Sequence, residues 1–137
     1  MSQPPYPQQP PYSPAPLSPS DERMWGMFGH LSAIAASFIG LPFLGPLVIF
    51  LVLKDRSGFV RGHSAEALNM TISLIVYELV LGLVLGVFAL VTFGIGALFF
   101  AVAWIPAVVF LVFTILAAVA ANQGRVYRYP LVFRLVR

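Results

Sequence analysis

Thirty consecutive residues, from Met24 to Leu53, carry no formal charge, and this run constrains the fold more than any other feature of the sequence. A helix of about 20 apolar residues can cross the hydrocarbon core of a bilayer, whereas charged side chains at that depth are costly. The rest of the chain follows the same trend, because 59% of its 137 residues are hydrophobic and only 9% are charged. This composition is far from that of a soluble domain. We therefore predict an all-α integral membrane protein.

Glycine and proline divide the apolar sequence into four hydrophobic helical segments. A Gly-Leu-Pro string at 40–42 and a Gly-Pro pair at 45–46 interrupt the first run, and such combinations break helices. The second segment would be only about 15 Å long, so it is either a tilted span or one arm of a re-entrant hairpin. Pro106 predicts a kink in the fourth segment. The predicted segments, arranged as two hairpins, are about 21–40, 45–55, 58–91 and 97–122.

Two tails flank this predicted transmembrane domain, which covers residues 21–124. Residues 1–20 contain eight of the twelve prolines and no charged side chain, and such a composition predicts a disordered tail. Residues 125–137 mix basic and aromatic side chains, which is typical of a segment that anchors at the membrane–water interface. The predicted anchor residues are Arg125, Tyr127, Arg128 and Tyr129.

The distribution of basic residues predicts the orientation of the chain. Lys54, Arg56 and Arg61 lie in one loop, and four arginines follow the last segment. Loops rich in lysine and arginine stay on the cytoplasmic side. We therefore expect a multi-pass protein of the bacterial plasma membrane with both termini in the cytoplasm.

The composition also argues against several classes of function. A net charge of +3 is too small for a nucleic-acid-binding surface. The chain has no cysteine and only two histidines, and the i, i+3 pair of His63 and Glu66 offers too few ligands for a metal site. We expect no enzyme activity, no catalytic residue, no metal and no cofactor. The expected partners are the lipid bilayer and either further copies of the chain or other membrane proteins.

A polar stripe runs along one face of the third segment, because residues three or four apart share a face of a helix. Polar side chains at this depth must face other helices or water. Two interpretations are open: a hydrogen-bond seam between helices, or a hydrated groove that contacts a cargo. A histidine of the first segment is expected to bond to the Asn69 or Ser73 region at a similar depth. The candidate residues are His30, His63, Glu66, Asn69, Ser73 and Tyr77.

Glu78 lies on a second face of the third segment, close to the expected bilayer midplane. No lysine or arginine lies within an apolar segment to neutralise it, so the neutral acid is favoured there. Glu78 is therefore a candidate intramembrane proton site, and the alternative is a neutral acid bonded to a neighbouring carbonyl or hydroxyl. Small residues at helical spacing predict close helix packing, and the candidates are Gly26, Ala33, Gly82 and Gly86.

Three strings in the sequence carry a family resemblance. They are Asp-Glu-Arg-Met-Trp at 21–25 with Gly-His-Leu-Ser at 29–32, Phe-Val-Arg-Gly-His at 59–63 with Glu-Ala-Leu-Asn at 66–69, and Tyr-Arg-Tyr-Pro-Leu at 127–131. Together they resemble a bacterial membrane-domain family of unknown function. That family is similar to the small Tic-type component of the chloroplast inner-envelope protein-import translocon. The resemblance implies a four-helix integral membrane protein and no particular activity.

These observations favour a non-enzymatic structural or interaction subunit of a membrane assembly. The alternative is an oligomeric translocation or transport element, similar to the Tic translocon and coupled to protons through Glu78. Four short helices enclose no useful pore, so the alternative requires several copies or a partner.

Overall fold

The computed structural model describes residues 14–137, which form four α-helices and one 3-10 helix with no β-strand in that range. The predicted all-α fold is thereby confirmed. Residues 1–13 of the predicted N-terminal tail lie outside the described residues. The α-helices are α1 (Pro19–Ser37), α2 (Leu44–Leu53), α3 (Gly58–Val91) and α4 (Trp104–Asn122), and the 3-10 helix (Ile95–Ala103) runs directly into α4.

Helices α1 and α2 form a tight hairpin. The hydroxyl of Ser18 caps α1 by accepting a hydrogen bond from the Asp21 N–H. Gly40 adopts a φ of 75° in the turn between the two helices, a conformation that glycine reaches without strain. Gly45 lies against the α1 backbone, because a Cβ added to it would stand 2.5 Å from the Ser32 carbonyl oxygen. Only glycine permits this approach of the two helices.

Helix α3 is longer than a bilayer requires. Its 34 residues extend about 51 Å, against about 30 Å of hydrocarbon. It begins after Ser57, whose hydroxyl accepts from the Val60 N–H and donates to the Glu22 carboxylate at 2.6 Å. Its buried residues end at Ser73, apart from Leu85. Helix α3 therefore has a packed N-terminal half and a C-terminal half with exposed apolar side chains.

A turn at residues 92–94 reverses the chain after α3. Phe93 and Gly94 have φ angles of 52° and 94°, and the Thr92 hydroxyl accepts a hydrogen bond from the Gly96 N–H at 2.7 Å. These contacts close a compact reversal without a charged residue. The 3-10 helix then packs antiparallel along the C-terminal half of α3.

The second long apolar stretch changes helix type instead of kinking at Pro106. The 3-10 helix becomes α-helical at Trp104, so Pro106 stands in the first turn of α4. Proline is tolerated there because its missing N–H is not needed in the first turn. The predicted single helix over 97–122 therefore begins earlier, at Ile95, and its first part is a 3-10 helix.

Two helical stretches are long and apolar enough to cross a membrane, Gly58–Val91 and Ile95–Asn122, and Leu44–Leu53 is a shorter apolar helix. Their length and composition support a membrane protein. Helix α1 carries charged side chains in its first two turns, at residues 21–23. Spanning by the first and second predicted segments therefore stays a prediction.

The hydrophobic core lies at the packed end of the molecule. There α1 packs against α2, the first half of α3 and α4. A larger cluster joins α1, α3, α4 and the C-terminal segment, and a smaller one joins α2 to the start of α3. The buried members are Ala33, Met70, Phe110, Ala117 and Tyr129 in the first, and Ile49, Leu53 and Val60 in the second.

We predict that Gly45→Ala destabilises the chain by roughly 1–3 kcal/mol, because the added methyl group meets backbone atoms of Ser32 that cannot rotate away. The measurement is the free energy of unfolding in detergent micelles. Gly62→Ala is the control, since a Cβ at Gly62 meets no atom within 4 Å. That variant should be neutral or more stable by up to about 1 kcal/mol. Equal stability of the two variants would contradict the close contact of α1 and α2.

Candidate functional site

The C-terminal segment, residues 125–137, has no helix or strand, turns at residues 130–131 and lies along the polar stripe of α3. The Asn69 side chain accepts hydrogen bonds from the N–H groups of Leu135 and Val136 at 2.9 and 2.8 Å, and it donates to the Val136 carbonyl at 2.8 Å. Ser73 accepts from the Phe133 N–H at 2.9 Å. The stripe therefore binds backbone groups of the chain's own C-terminal segment, in addition to facing the interior of the bundle.

Two further members of the stripe bind the same segment. The Tyr77 hydroxyl donates to the Leu131 carbonyl at 2.6 Å. The Glu66 carboxylate accepts from the Arg134 guanidinium at 3.1 Å and from the Tyr129 N–H at 3.3 Å. Because a segment without helix or strand leaves most of its backbone groups without partners, these side chains supply partners that secondary structure would otherwise give.

A buried hydrogen-bonded chain of three aromatic side chains connects α1, α3 and the C-terminal segment. The His30 Nε2 lies 2.8 Å from the His63 Nδ1, and the His30 Nδ1 lies 2.9 Å from the Tyr129 hydroxyl. All three residues are at most 3% exposed. The sequence predicted a bond from His30 to the Asn69 or Ser73 region, and the structure pairs His30 with His63 and Tyr129.

The hydrogen-bonded chain of His30, His63 and Tyr129 has two consistent protonation patterns, because a neutral imidazole has one donor and one acceptor nitrogen. In the first form Tyr129 donates to His30, His30 donates to His63, and the proton of His63 is on Nε2. In the second form all donors are reversed, and the His63 Nε2 carries a lone pair. The state of that one atom is therefore linked to the direction of the hydrogen bond at Tyr129.

The ring nitrogen at the end of this series of hydrogen bonds, His63 Nε2, has no hydrogen-bond partner within residues 14–137. His63 Nε2 is buried, and the Arg125 carbonyl lies beside the ring without completing a hydrogen bond. The Thr114 hydroxyl likewise has no partner within hydrogen-bond geometry among residues 14–137, although it lies close to the Tyr129 phenol. Buried polar groups without a partner are rare and costly, so both mark places where a ligand or water would be stabilised.

Burial raises the pKa of Tyr129 above its ordinary value of about 10. Tyr129 was predicted to anchor at an interface, but its side chain is 2% exposed and belongs to the hydrophobic core. Of the other predicted anchor residues, Tyr127 is partly buried, and Arg125 and Arg128 are exposed. Burial also raises the pKa of Tyr127.

The predicted packing residues fall into two groups. Gly26 lies against the Phe59 ring and Ala121, and Ala33 is 1% exposed in the core. Gly82 and Gly86 face open space, because a Cβ at either position meets no atom within 4 Å. The first pair serves packing within the chain, and the second pair leaves a groove on α3.

Glu78 is partly buried on the C-terminal half of α3. Its carboxyl makes no hydrogen bond or ion pair with the part of the chain that the structure describes. The structure does not bring Glu78 together with the stripe that holds His63 and Glu66. The predicted proton role of Glu78 stays a prediction.

Several residues of the site are not evident from the sequence. Arg134 and Thr114 carry no motif, and Ser64, which packs on Gly29, is a small polar residue in an apolar region. Only the basic character of the C-terminal segment, opposite a lone glutamate, could have suggested the pair of Arg134 and Glu66. Within residues 14–137, no three His, Cys, Asp or Glu side chains form a group that could hold a metal ion.

We predict that Asn69→Ala loosens the C-terminal segment and lowers the free energy of unfolding by about 1–3 kcal/mol, because it removes three hydrogen bonds to that segment. Limited proteolysis should cleave residues 131–137 faster in this variant. Asn122→Ala is the matched control, since Asn122 is exposed at the end of α4. Equal cleavage of both variants would contradict the docking of the segment on α3.

We predict that Tyr129→Phe changes how stability depends on pH. The folded chain keeps the Tyr129 proton at a pH where the unfolded chain loses it, so the free energy of unfolding falls as pH rises above about 10. The variant lacks this contribution, although it loses about 1 kcal/mol at neutral pH with the bond to His30. The stability gap between wild type and variant should therefore shrink between pH 8 and pH 11, while Tyr127 is common to both. A constant gap would contradict the burial of the phenol.

Comparison with known proteins assigns the chain to a family. Residues 21–136 match the MamF/MmsF family, described as the magnetosome magnetite crystal formation protein family. No curated protein matches the chain, and no solved structure matches it. The comparisons support the predicted small bacterial membrane family and give no support to a Tic-type similarity. Because the match covers the four helices and nearly all of the C-terminal segment, this chain belongs to the MamF/MmsF family of magnetosome magnetite crystal formation proteins.

Proposed function

We propose that this chain is a non-enzymatic structural subunit of the magnetosome membrane that supports magnetite crystal formation by assembling with further copies of itself or with other membrane proteins. One observation carries the proposal: the polar side chains of α3 bind the chain's own C-terminal segment, while the apolar faces beyond it stay exposed. The polar groups thus stabilise the docked C-terminal segment, and the exposed faces are available for lipid and protein contacts.

The packed end supports this proposal because its polar residues are used within the chain. Glu66 is occupied by Arg134 and a backbone N–H, and Asn69 is occupied by the backbone of 135–136. Side chains held in this way are poorly placed to serve as nucleophile or base. A rigid body that carries two long apolar helices is instead suited to organise a membrane assembly.

The C-terminal half of α3 offers the surface for that assembly. Gly82 and Gly86 are one turn apart and face open space, and small residues at this spacing permit a second helix to approach closely in lipid. Glu78 lies one turn before Gly82 on the same side of the helix. A second copy seated on this groove would cover Glu78 and remove its carboxyl from lipid.

We predict that Gly82→Ile with Gly86→Ile abolishes self-association in vesicles, because the added side chains fill the groove. The measurement is energy transfer between labelled copies, with crosslinking as a second readout. The control is Leu79→Ile with Leu83→Ile, a pair with the same spacing on an exposed face of α3. Equal association of the two double variants would contradict this groove as the contact surface.

The functional readout uses cells that form magnetosomes and lack their own copy of this protein. The groove variant should insert normally but yield fewer or smaller magnetite crystals under electron microscopy, and the control should restore them. A groove variant that fails to associate and still restores full-sized crystals would overturn the assembly proposal. The predicted cytoplasmic placement of both termini can be tested in the same cells with terminal reporter fusions.

The alternative function is an oligomeric transport element. The carboxyl of Glu78 has no hydrogen-bond or ion-pair partner within residues 14–137, and this favours transport, because an intramembrane acid without a partner is a candidate proton carrier. The same vesicles distinguish the two proposals. Ion or proton flux that appears with wild type and disappears with the groove variant would support transport, whereas association without flux supports the structural role.

A further inference from the structure

A cavity of about 510 Å³ lies between the first two turns of α3 and the C-terminal segment. This volume is within the range of small-molecule sites. Its lining is partly apolar, with Phe59, Val126 and Val136 among the apolar residues, and partly charged. The charged residues that line it are Glu66, Arg128, Arg134 and Arg137.

The charge balance of the cavity favours an anion. Three guanidinium groups face it against one carboxylate, and that carboxylate is already held by Arg134 and a backbone N–H. Arg128 and Arg137 make no side-chain hydrogen bond or ion pair with residues 14–137. Two guanidinium groups thus retain their donors, and a cation would be repelled.

One of the residues that line the same cavity is a buried histidine. His63 lines it, is 3% exposed, and uses Nδ1 for His30. The remaining ring nitrogen, Nε2, has no partner within hydrogen-bond geometry among the described residues, although the Arg125 carbonyl lies beside the ring. When Tyr129 donates inward to His30, Nε2 carries the proton of the ring and can donate to an acceptor in the cavity.

We propose that this cavity binds a phosphate group, with Arg128 and Arg137 as the charged donors and His63 Nε2–H as the buried donor. Guanidinium groups match the geometry of phosphate oxygens, and charge-assisted hydrogen bonds are the stronger class. The group comes from the headgroup of an anionic phospholipid or from free phosphate. The apolar part of the lining fits the first source, and basic pockets at the ends of membrane helices bind such headgroups.

The experiment uses the full chain in uncharged detergent micelles, with ¹⁵N-labelled histidine. Three probes are titrated: short-chain phosphatidylglycerol, short-chain phosphatidylcholine and inorganic phosphate. Binding is read from the ¹⁵N shift of the His63 ring and from the rise in unfolding temperature. Phosphatidylglycerol should bind more tightly than phosphatidylcholine, whose cationic choline is repelled by the arginines.

Arg128→Gln and Arg137→Gln should each weaken binding at least tenfold, because each removes a charge-assisted donor. Arg125→Gln is the matched control, since Arg125 is an exposed arginine of the same segment that does not line the cavity. It should change binding by no more than a few-fold, as expected for a charge near the surface. Both cavity arginines are exposed, so neither variant is expected to affect folding.

Each outcome of the titrations decides the proposal. If phosphatidylglycerol binds and inorganic phosphate does not compete, the ligand is a lipid headgroup. If inorganic phosphate binds with the same dependence on Arg128 and Arg137, the site takes free phosphate. If the His63 signal does not move with any probe, or if Arg125→Gln weakens binding as much as the cavity variants, the proposal is overturned.

Discussion

The C-terminal segment has no secondary structure of its own, so its backbone needs hydrogen-bond partners, and polar side chains of α3 supply them. Asn69 is the centre of that arrangement, since its amide both accepts from and donates to Val136. An unsatisfied backbone group in an apolar environment costs several kcal/mol. The docked C-terminal segment in turn brings Tyr129 into the core and Arg134 to Glu66. The polar stripe, the aromatic chain and the cavity therefore share one origin.

The length of α3 divides the molecule into two functional halves. In the first half, small residues such as Gly29 and Ser64 allow α1 and α3 to approach closely, and the buried polar groups require partners within the chain. In the second half, Tyr77 still contacts the C-terminal segment, and beyond it the 3-10 helix packs on α3 through Phe88 and Phe99. Apolar side chains there face outward, which is favourable only in lipid or against another protein. The packed N-terminal half of α3 thus holds the fold together, and the exposed C-terminal half is available for association.

Caps, glycines and prolines in the sequence predict the helices well where these local signals are strong. Helix α3 was predicted over 58–91 and is observed over Gly58–Val91, because the Ser57 cap and the glycines after Val91 are local features. The sequence did not predict that Ile95–Ala103 is a 3-10 helix. A uniformly apolar run has no polar–apolar periodicity that would distinguish 3.0 from 3.6 residues per turn. Chain breaks at glycine and proline, by contrast, separated α1 from α2 correctly.

The composition of the candidate site was only partly predictable. Helical periodicity placed Glu66, Asn69, Ser73 and Tyr77 on one face. Nothing in the sequence indicated that their partner is the C-terminal segment, about 60 residues further along the chain. Tyr129 resembles an interfacial tyrosine because its ring is amphipathic, and only the position of His30, 99 residues away, gives its hydroxyl a buried partner. Contacts at such separation depend on the whole fold and leave no local pattern.

The hydrogen-bonded chain of His63, His30 and Tyr129 links the cavity to the C-terminal segment. A hydrogen-bond acceptor at the His63 Nε2 favours the tautomer in which His30 accepts from Tyr129, and a donor there favours the reverse. The backbone N–H of Tyr129 is bonded to Glu66 of α3 and its hydroxyl to His30 of α1, so this one residue joins the C-terminal segment to both helices. Because Arg128 and Arg137 of the C-terminal segment line the cavity, a ligand bound there stabilises the docked segment as much as the docked segment stabilises the ligand. Occupation of the cavity and order in the C-terminal segment are then two readouts of one equilibrium.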